Sequence, residues 1–226
     1  SSAPAPDVEG AFRSAHGCRF HTTMDMVWGY GQAELEEETQ RLLACVTRSS
    51  ISYPLVGTFG PRPFPAIFQG HMNHTFGNLT DPVSLEPGRK ICTVALDDLK
   101  ISSRNYSDHL RQVNIVLDTA NSCGAEFAIK KSAFAAEAVE YWGFILSSEG
   151  RRPTPEKVKQ LAEWPEYQNL DDLRTHVHFA EYLKGFMLQL PEVISPLRPD
   201  LKIGAKYSDY LDDVAAQAAR VKLTRM

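Results

Sequence analysis

The sequence has no uncharged apolar run approaching the ~20 residues that cross a bilayer, and its opening, SSAPAPDVEG, lacks the basic-then-apolar layout of a secretory leader. Those absences argue against membrane-spanning and secreted classes and predict a soluble intracellular chain of unspecified compartment, with no membrane partner. Cysteine is scarce: four in 226 residues, at 18, 45, 92 and 123, with no C-x-x-C pair. That excludes a zinc knuckle and a disulfide framework, and predicts buried thiols in a reducing compartment. Excess positive charge is missing too. Twenty-four Lys and Arg against 28 Asp and Glu leave a net charge of −4, so bulk charge alone does not hold this chain on nucleic acid. The first residue is Ser rather than Met, which suggests a fragment or a processed product.

What is present is globular. With 43% apolar residues and 10% aromatics, the chain can bury a real core, and its length suits one large or two small compact units. Residues 1–10, rich in Ala, Ser and Pro, form an expected flexible lead-in. RLLACVT at 41–47 and ISYPLVG at 51–57 predict a hairpin around Ser49-Ser50, with Pro54 limiting the second run to an edge. Phe64, Ile67, Phe68, Met72 and Phe76 follow Pro63 at helical spacing. ICTVAL at 91–96 reads as a buried strand running into Asp97-Asp98, and Leu99 and Ile101 continue as a second strand. Tyr106, Leu110, Val113, Leu117 and Ala120 make one helical stripe. Strands are expected at 125–130 and 139–146, then helices over 155–164, 170–187 and 209–223. The pattern is α+β to about residue 150 and helical beyond it. Charge follows the same division: residues 150–226 carry 12 basic and 11 acidic groups, against 12 and 17 before them.

Two adjacent carboxylates at the tip of an apolar hairpin are costly unless a cation neutralises them. Asp25, in TTMDMVWGYGQ, is a third, placed at the end of a β-prone stretch before a Gly-rich turn. Three oxygen donors without a His or Cys cluster favour a hard ion such as magnesium over zinc. Paired magnesium ions on such Asp residues stabilise in-line attack at phosphorus. A solvated turn or a helix cap also accounts for an isolated Asp-Asp pair.

Five segments in order resemble the reverse transcriptase domain of gypsy-type LTR-retrotransposon Pol polyproteins. Asp25, Gly29, Tyr30 and Gln32 match its first palm motif. Phe59, Gly60, Pro65, Phe68, Gln69, Met72, Asn73 and Phe76 match the motif of GTFGPRPFPAIFQGHMNHTF. Leu96, Asp97, Asp98 and Ser103 match the Tyr-x-Asp-Asp hairpin. YWGFILSSEGRRPTPEKVKQLAEWP resembles the passage from primer-gripping hairpin to thumb, and NLDDLRTHVHFAEYLKGF the thumb helix. The resemblance implies a right-hand polymerase palm, an antiparallel sheet with packed helices, followed by a helical thumb and connection. Its bounds would be palm with a remnant of fingers over 11–150, thumb over 151–200, and 201–226 starting a connection toward a ribonuclease H domain. It implies RNA-directed DNA polymerase activity on deoxynucleoside triphosphates with an RNA or DNA template and primer. Asp25, Asp97 and Asp98 would be catalytic and hold two Mg²⁺ ions. Tyr30, Gly60, Gln69 and Lys131 would bind substrate: Tyr30 by excluding a ribose 2′-hydroxyl, Gly60 by permitting close approach. Lys131 reads equally as a solvated charge. Adjoining ribonuclease H and integrase domains in a longer polyprotein are implied as well.

Departures stand beside the matches. Ala95 replaces the Tyr before the acid pair, Pro63-Phe64 replace Asn-Ala beside the expected nucleotide pocket, and Lys100 replaces an apolar residue. The chain begins shortly before the first palm motif, which implies a divergent copy without its fingers strands. A catalytically inactive, degenerate protein that keeps the fold for nucleic-acid binding or structure is therefore the alternative. Tyr210-Leu211-Asp212-Asp213 also spells the family tetrapeptide, but VAAQAARVKL after it reads as a helix beginning on acids, so it is rejected as the site.

Overall fold

A computed structural model gives the structure of residues 8–84, 88–198, 201–202 and 205–224; residues 1–7 of the expected lead-in lie outside them. Two compact units divide between Arg151 and Arg152. The first runs from α1 (Val8–Ala15) into β1 (Phe20–Asp25), a 3-10 turn at Gly29–Gln32, α2 (Glu37–Leu42), β2 (Cys45–Val46) and β3 (Ile51–Ser52). Helix α3 (Phe64–Thr75) precedes β4 (Cys92–Ala95) and β5 (Asp98–Ser103). Helix α4 (Tyr106–Cys123) precedes β6 (Ala133–Ala136), β7 (Ala138–Tyr141), β8 (Phe144–Ser147) and β9 (Gly150–Pro153). The main sheet is antiparallel in the order β4-β5-β1-β6, and β7-β8-β9 make a second.

Side chains alternate across a strand, so register decides which residues meet which cover. Met24 stands opposite Leu99 and Thr22 opposite Ile101. That face packs on Phe64, Phe68 and Met72 of α3, on Phe76 beyond it, and on Val113, Val116 and Ala120 of α4. Each large side chain buried there contributes on the order of 2–3 kcal/mol. The opposite face carries His21, Thr23 and Asp25, paired with Ser102, Lys100 and Asp98. Helix α1 and the β7–β8 hairpin cover its centre: Ser14 meets Thr93 and Lys100, and Phe12 packs edge-on against Phe144 with ring centroids 5.1 Å apart.

The second unit is helical: α5 (Pro155–Ala162), α6 (Leu170–Tyr182), α7 (Leu190–Ile194), α8 (Tyr207–Asp212) and α9 (Val214–Leu223). Leu161, Leu173, Val177, Leu190, Ile194, Leu197 and Leu223 are buried there. Trp164 stacks on His176 at 4.4 Å, and Tyr167 Oη shares a 2.6 Å hydrogen bond with His176 Nδ1.

Several expectations change. Residues 125–130 are not a strand: Phe127 makes one bridge to Met26, and Ile129–Lys131 turn as a 3-10 helix. The run 139–146 is two strands, because Trp142 and Gly143 both take positive φ, 51° and 72°, and turn the chain tightly. The 41–57 hairpin shrinks to two-residue strands; Arg41 and Leu42 end α2, whose first turn takes up Glu37 and Glu38. Cys45 and Cys123 are exposed, and only Cys18 and Cys92 are buried. On α4, Val113 and Ala120 of the expected stripe are buried with His109, Gln112 and Val116, while Tyr106, Leu110 and Leu117 are exposed. Polar residues turn inward because the sheet satisfies them: His109 bonds Thr22 Oγ1 at 2.8 Å and Ser103 Oγ at 2.9 Å, and Ser103 donates to Gln112 Oε1. The 170–187 helix ends at Tyr182, and the 209–223 helix breaks at Asp213, which caps α9 by accepting from Ala216 N–H at 2.9 Å.

Burial holds the His21 and His109 imidazoles down at about 4, with Lys100 adding to the effect at His21. Unfolding returns each to its ordinary 6.5, so between those values the unfolded chain binds more protons and stability falls as pH falls. Acidifying from about pH 7 to about pH 5 is expected to cost on the order of 1–2 kcal/mol per histidine. A urea midpoint that stays level across that range contradicts neutral burial.

Candidate active site

Asp25 ends β1, and antiparallel register sets it directly across from Asp98, the first residue of β5. Asp97 shares the β4–β5 turn with Leu96, whose φ of 56° is left-handed. For a non-glycine residue that conformation costs roughly 1–2 kcal/mol and must be held. Gln69 holds it. Its Oε1 accepts from Leu96 N–H at 2.7 Å, and its Nε2 donates to Val94 O at 3.2 Å and to Asn73 Oδ1 at 2.9 Å. Met26 N–H donates to Asp97 O at 3.0 Å, tying the end of β1 to the same turn. Gly29 closes the arrangement: a Cβ there would stand 3.2 Å from both Asp97 Cβ and the Phe68 ring, so only glycine packs without displacement.

The carboxylates repel one another. Asp98 is pushed up to about 6, first by burial and then by Asp97 and Asp25, with the Trp142 indole drawing it partly back. Lys131 Nζ lies 3.7 Å from Asp25 Oδ1, the nearest cation to that carboxylate among the described ion pairs. No group of three or more His, Cys, Asp and Glu side chains among the described residues is gathered closely enough to hold a metal ion. The donor chemistry nonetheless fits a hard divalent cation: three carboxylates and no thiol or imidazole, with mutual repulsion that such an ion relieves.

The other expected residues divide. Tyr30 is half-buried among Phe59, Phe64 and Phe68, with ring centroids 5.0–5.1 Å away. Phe64 is buried against it, so that substitution enlarges the core under Tyr30. Gly60 takes φ of 119°, and a Cβ there meets nothing within 4 Å; backbone conformation, not crowding inside the protein, demands glycine. Gln69 departs from the role that the resemblance implies. It is 1% exposed and spends its amide on the turn rather than presenting it to a substrate. His71 and His74 are exposed on α3. Gln32 entered the sequence reading only as a motif residue; its amide donates to Val27 O and Glu126 O and accepts from Glu126 N–H, fastening the 26–33 loop to the segment after α4. Sequence reasoning missed Trp142; the Trp-Gly pair at the hairpin tip was the available signal.

Comparisons with known proteins come last. The family described as reverse transcriptase (RNA-dependent DNA polymerase) matches residues 4–146. The retrovirus-related Pol polyprotein from transposon gypsy of Drosophila melanogaster is 31% identical over 200 residues, 88% of this chain and 18% of that protein. The one from transposon opus is 26% identical over 98% of this chain and 21% of its own. The chain thus spans about a fifth of the length of these relatives. Among solved structures, a foamy viral protease–reverse transcriptase in complex with double-stranded DNA aligns at a TM-score of 0.79 and 19% identity, over 100% of this chain and 38% of that one. The mixed α+β fold is therefore shared.

Gln69→Ala is expected to cost about 2–3 kcal/mol through the vacated amide partners, and to expose the Leu96 amide to rapid hydrogen exchange. Unchanged protection at Leu96 contradicts the bracing role.

Proposed function

The chain belongs to the reverse transcriptase (RNA-dependent DNA polymerase) family, with distant relatives among gypsy-type retrotransposon Pol polyproteins, and from that premise we propose that it is the palm and thumb of an RNA-directed DNA polymerase. The observation that carries this is the β1–β5 register, which brings Asp25 opposite Asp98 beside the Asp97 turn. The palm takes residues 11–150, with β7–β8 as the primer-gripping hairpin; 151–200 form the thumb, and 201–226 begin a connection. A template–primer and deoxynucleoside triphosphates are its partners. Foamy viral reverse transcriptases have been solved with an RNA/DNA hybrid and with double-stranded DNA. Ribonuclease H and integrase domains adjoin it in the longer polyprotein that its relatives' names describe.

Asp25, Asp97 and Asp98 would hold two magnesium ions, which would lower the pKa of the primer 3′-hydroxyl and stabilise the charge of the departing pyrophosphate. The protein's own contribution is positioning. Strand register fixes two carboxylates, and the Gln69-braced turn fixes the third. The phenol ring of Tyr30, backed by three phenylalanines, is a rigid wall against a 2′-hydroxyl. Lys131 moves from Asp25 to the triphosphate, freeing the carboxylate.

A second reading has its own support. With Lys131 on Asp25 and the acids ungathered, a copy that keeps the fold without the chemistry is the alternative. Primer extension on an RNA template, with manganese or magnesium, separates the two. Asp97→Asn is expected to reduce incorporation by about 10³-fold, roughly 4 kcal/mol of transition-state stabilisation, and a chelator to stop it. No incorporation by the parent chain selects the inactive reading, and incorporation unchanged in Asp97→Asn contradicts the polymerase chemistry proposed for these acids. Tyr30→Ala should raise ribonucleotide incorporation relative to deoxynucleotide; an unchanged ratio contradicts the wall.

A further inference from the structure

Lys100 is left unexplained by the proposed chemistry. It is 1% exposed, and its ammonium meets two hydroxyls, Ser102 Oγ at 2.9 Å and Ser14 Oγ at 3.3 Å, and lies 5.9 Å from the Tyr141 ring, with no carboxylate paired to it among the described residues. Buried charges are ordinarily paired, because an uncompensated ion in the interior costs several kcal/mol. Ser14 leads from this charge to the surface. Its hydroxyl also lies 3.5 Å from Thr93 Oγ1, and both residues line a cavity of about 460 Å³ on the outer side of β4.

Six of the ten residues that line that cavity carry polar side chains. Ser14 and Thr93 are half-buried in it with Asn73, while His74, Asn78 and Lys90 stand exposed around them. Lys90 has no ion-pair partner among the described residues, and neither Asp nor Glu is among the residues lining the cavity. Strand β4 is the edge of its sheet, and sheet edges present unpaired backbone donors that form anion-binding concavities. The C-terminal end of α3 adjoins the cavity, but its partial charge of about −0.5 is outweighed by two ammonium groups.

We propose that this cavity binds an oxyanion of the phosphate class, either inorganic phosphate or pyrophosphate, at a site separate from the three aspartates. Lys90 takes the anion directly and Thr93 donates to it, and the anion's charge compensates Lys100 across Ser14, whose own proton goes to Ala11 O at 2.8 Å. The Asn73 and Asn78 amides and the His74 ring supply further donors, and the volume exceeds that of a single phosphate, leaving room for pyrophosphate and water.

Calorimetric titration of the whole chain in chelator, at ionic strength matched with chloride, tests it without the proposed catalytic metals. Saturable binding of phosphate or pyrophosphate is expected, weakened about tenfold or more by Lys90→Ala, retained in Lys90→Arg, weakened by Thr93→Val and unchanged in Asp97→Asn. Tighter pyrophosphate binding identifies a nucleotide-derived anion, and equal affinities identify free phosphate. No saturable binding, or binding indifferent to Lys90→Ala, overturns the proposal. Loss in Asp97→Asn overturns it too, by placing the anion at the acidic site. Because no step measures polymerisation, a failure here is distinct from a failure of the polymerase reading.

Discussion

Register between β1 and β5 is the constraint on which the rest of the first unit depends. The pairing that sets Met24 on Leu99 and Thr22 on Ile101 also sets Thr23 on Lys100 and Asp25 on Asp98. A slip of one residue exchanges the two faces. It would drive Asp98 and Lys100 among Phe68, Met72 and Val116 and expel the leucine and isoleucine that stabilise the sheet. Burying an unpaired carboxylate in that core costs several kcal/mol, while each expelled aliphatic forfeits about 2 kcal/mol. Both penalties favour the observed register, so the hydrophobic core decides where the carboxylates stand.

Placement is not the same as rigidity. The acidic turn is strained at Leu96, and three segments distant in sequence hold it: the Gln69 amide from α3, the Met26 N–H from beyond β1, and the side-chain-free backbone of Gly29. Gln32 then fastens the loop carrying Gly29 to the chain after α4. A carboxylate pushed up to about 6 by burial and two like charges stores repulsion that only a stiff frame tolerates. The same repulsion makes the place receptive to a cation.

Much of this was legible in the sequence because two periods were clean. Phe64, Phe68 and Met72 recur at helical spacing, and Leu99 and Ile101 alternate with polar neighbours; both became core. The ordered motifs pointed to the family to which the chain belongs. Failures came where tertiary partners overrode local pattern. On α4, Tyr106, Leu110 and Leu117 of the apolar stripe lost the interior to His109 and Gln112, since Thr22 and Ser103 stood on the sheet to bond them, while Val113 and Ala120 kept their place. Around 125–130, β-prone residues made a single bridge before turning at two lysines. Gln69 was recognisable as part of a motif, but nothing in one dimension revealed that its amide bonds a turn 27 positions away.

The polar face of the sheet also explains how the departures fit together. Ala95 stands directly opposite Asp98 on β4, so no strand neighbour shields that carboxylate with a ring. The aromatic partner comes instead from the β7–β8 hairpin, whose tip brings the Trp142 indole to Asp98. Its neighbour Tyr141, buried, lies 5.9 Å from the ammonium of Lys100, which stands two residues along β5 from Asp98. One hairpin thus covers the acid end and the cationic centre of the face together. Loss of an aromatic from β4 and gain of a lysine on β5 would each be costly alone; with that hairpin above them, both are held against π-systems within a single packed layer.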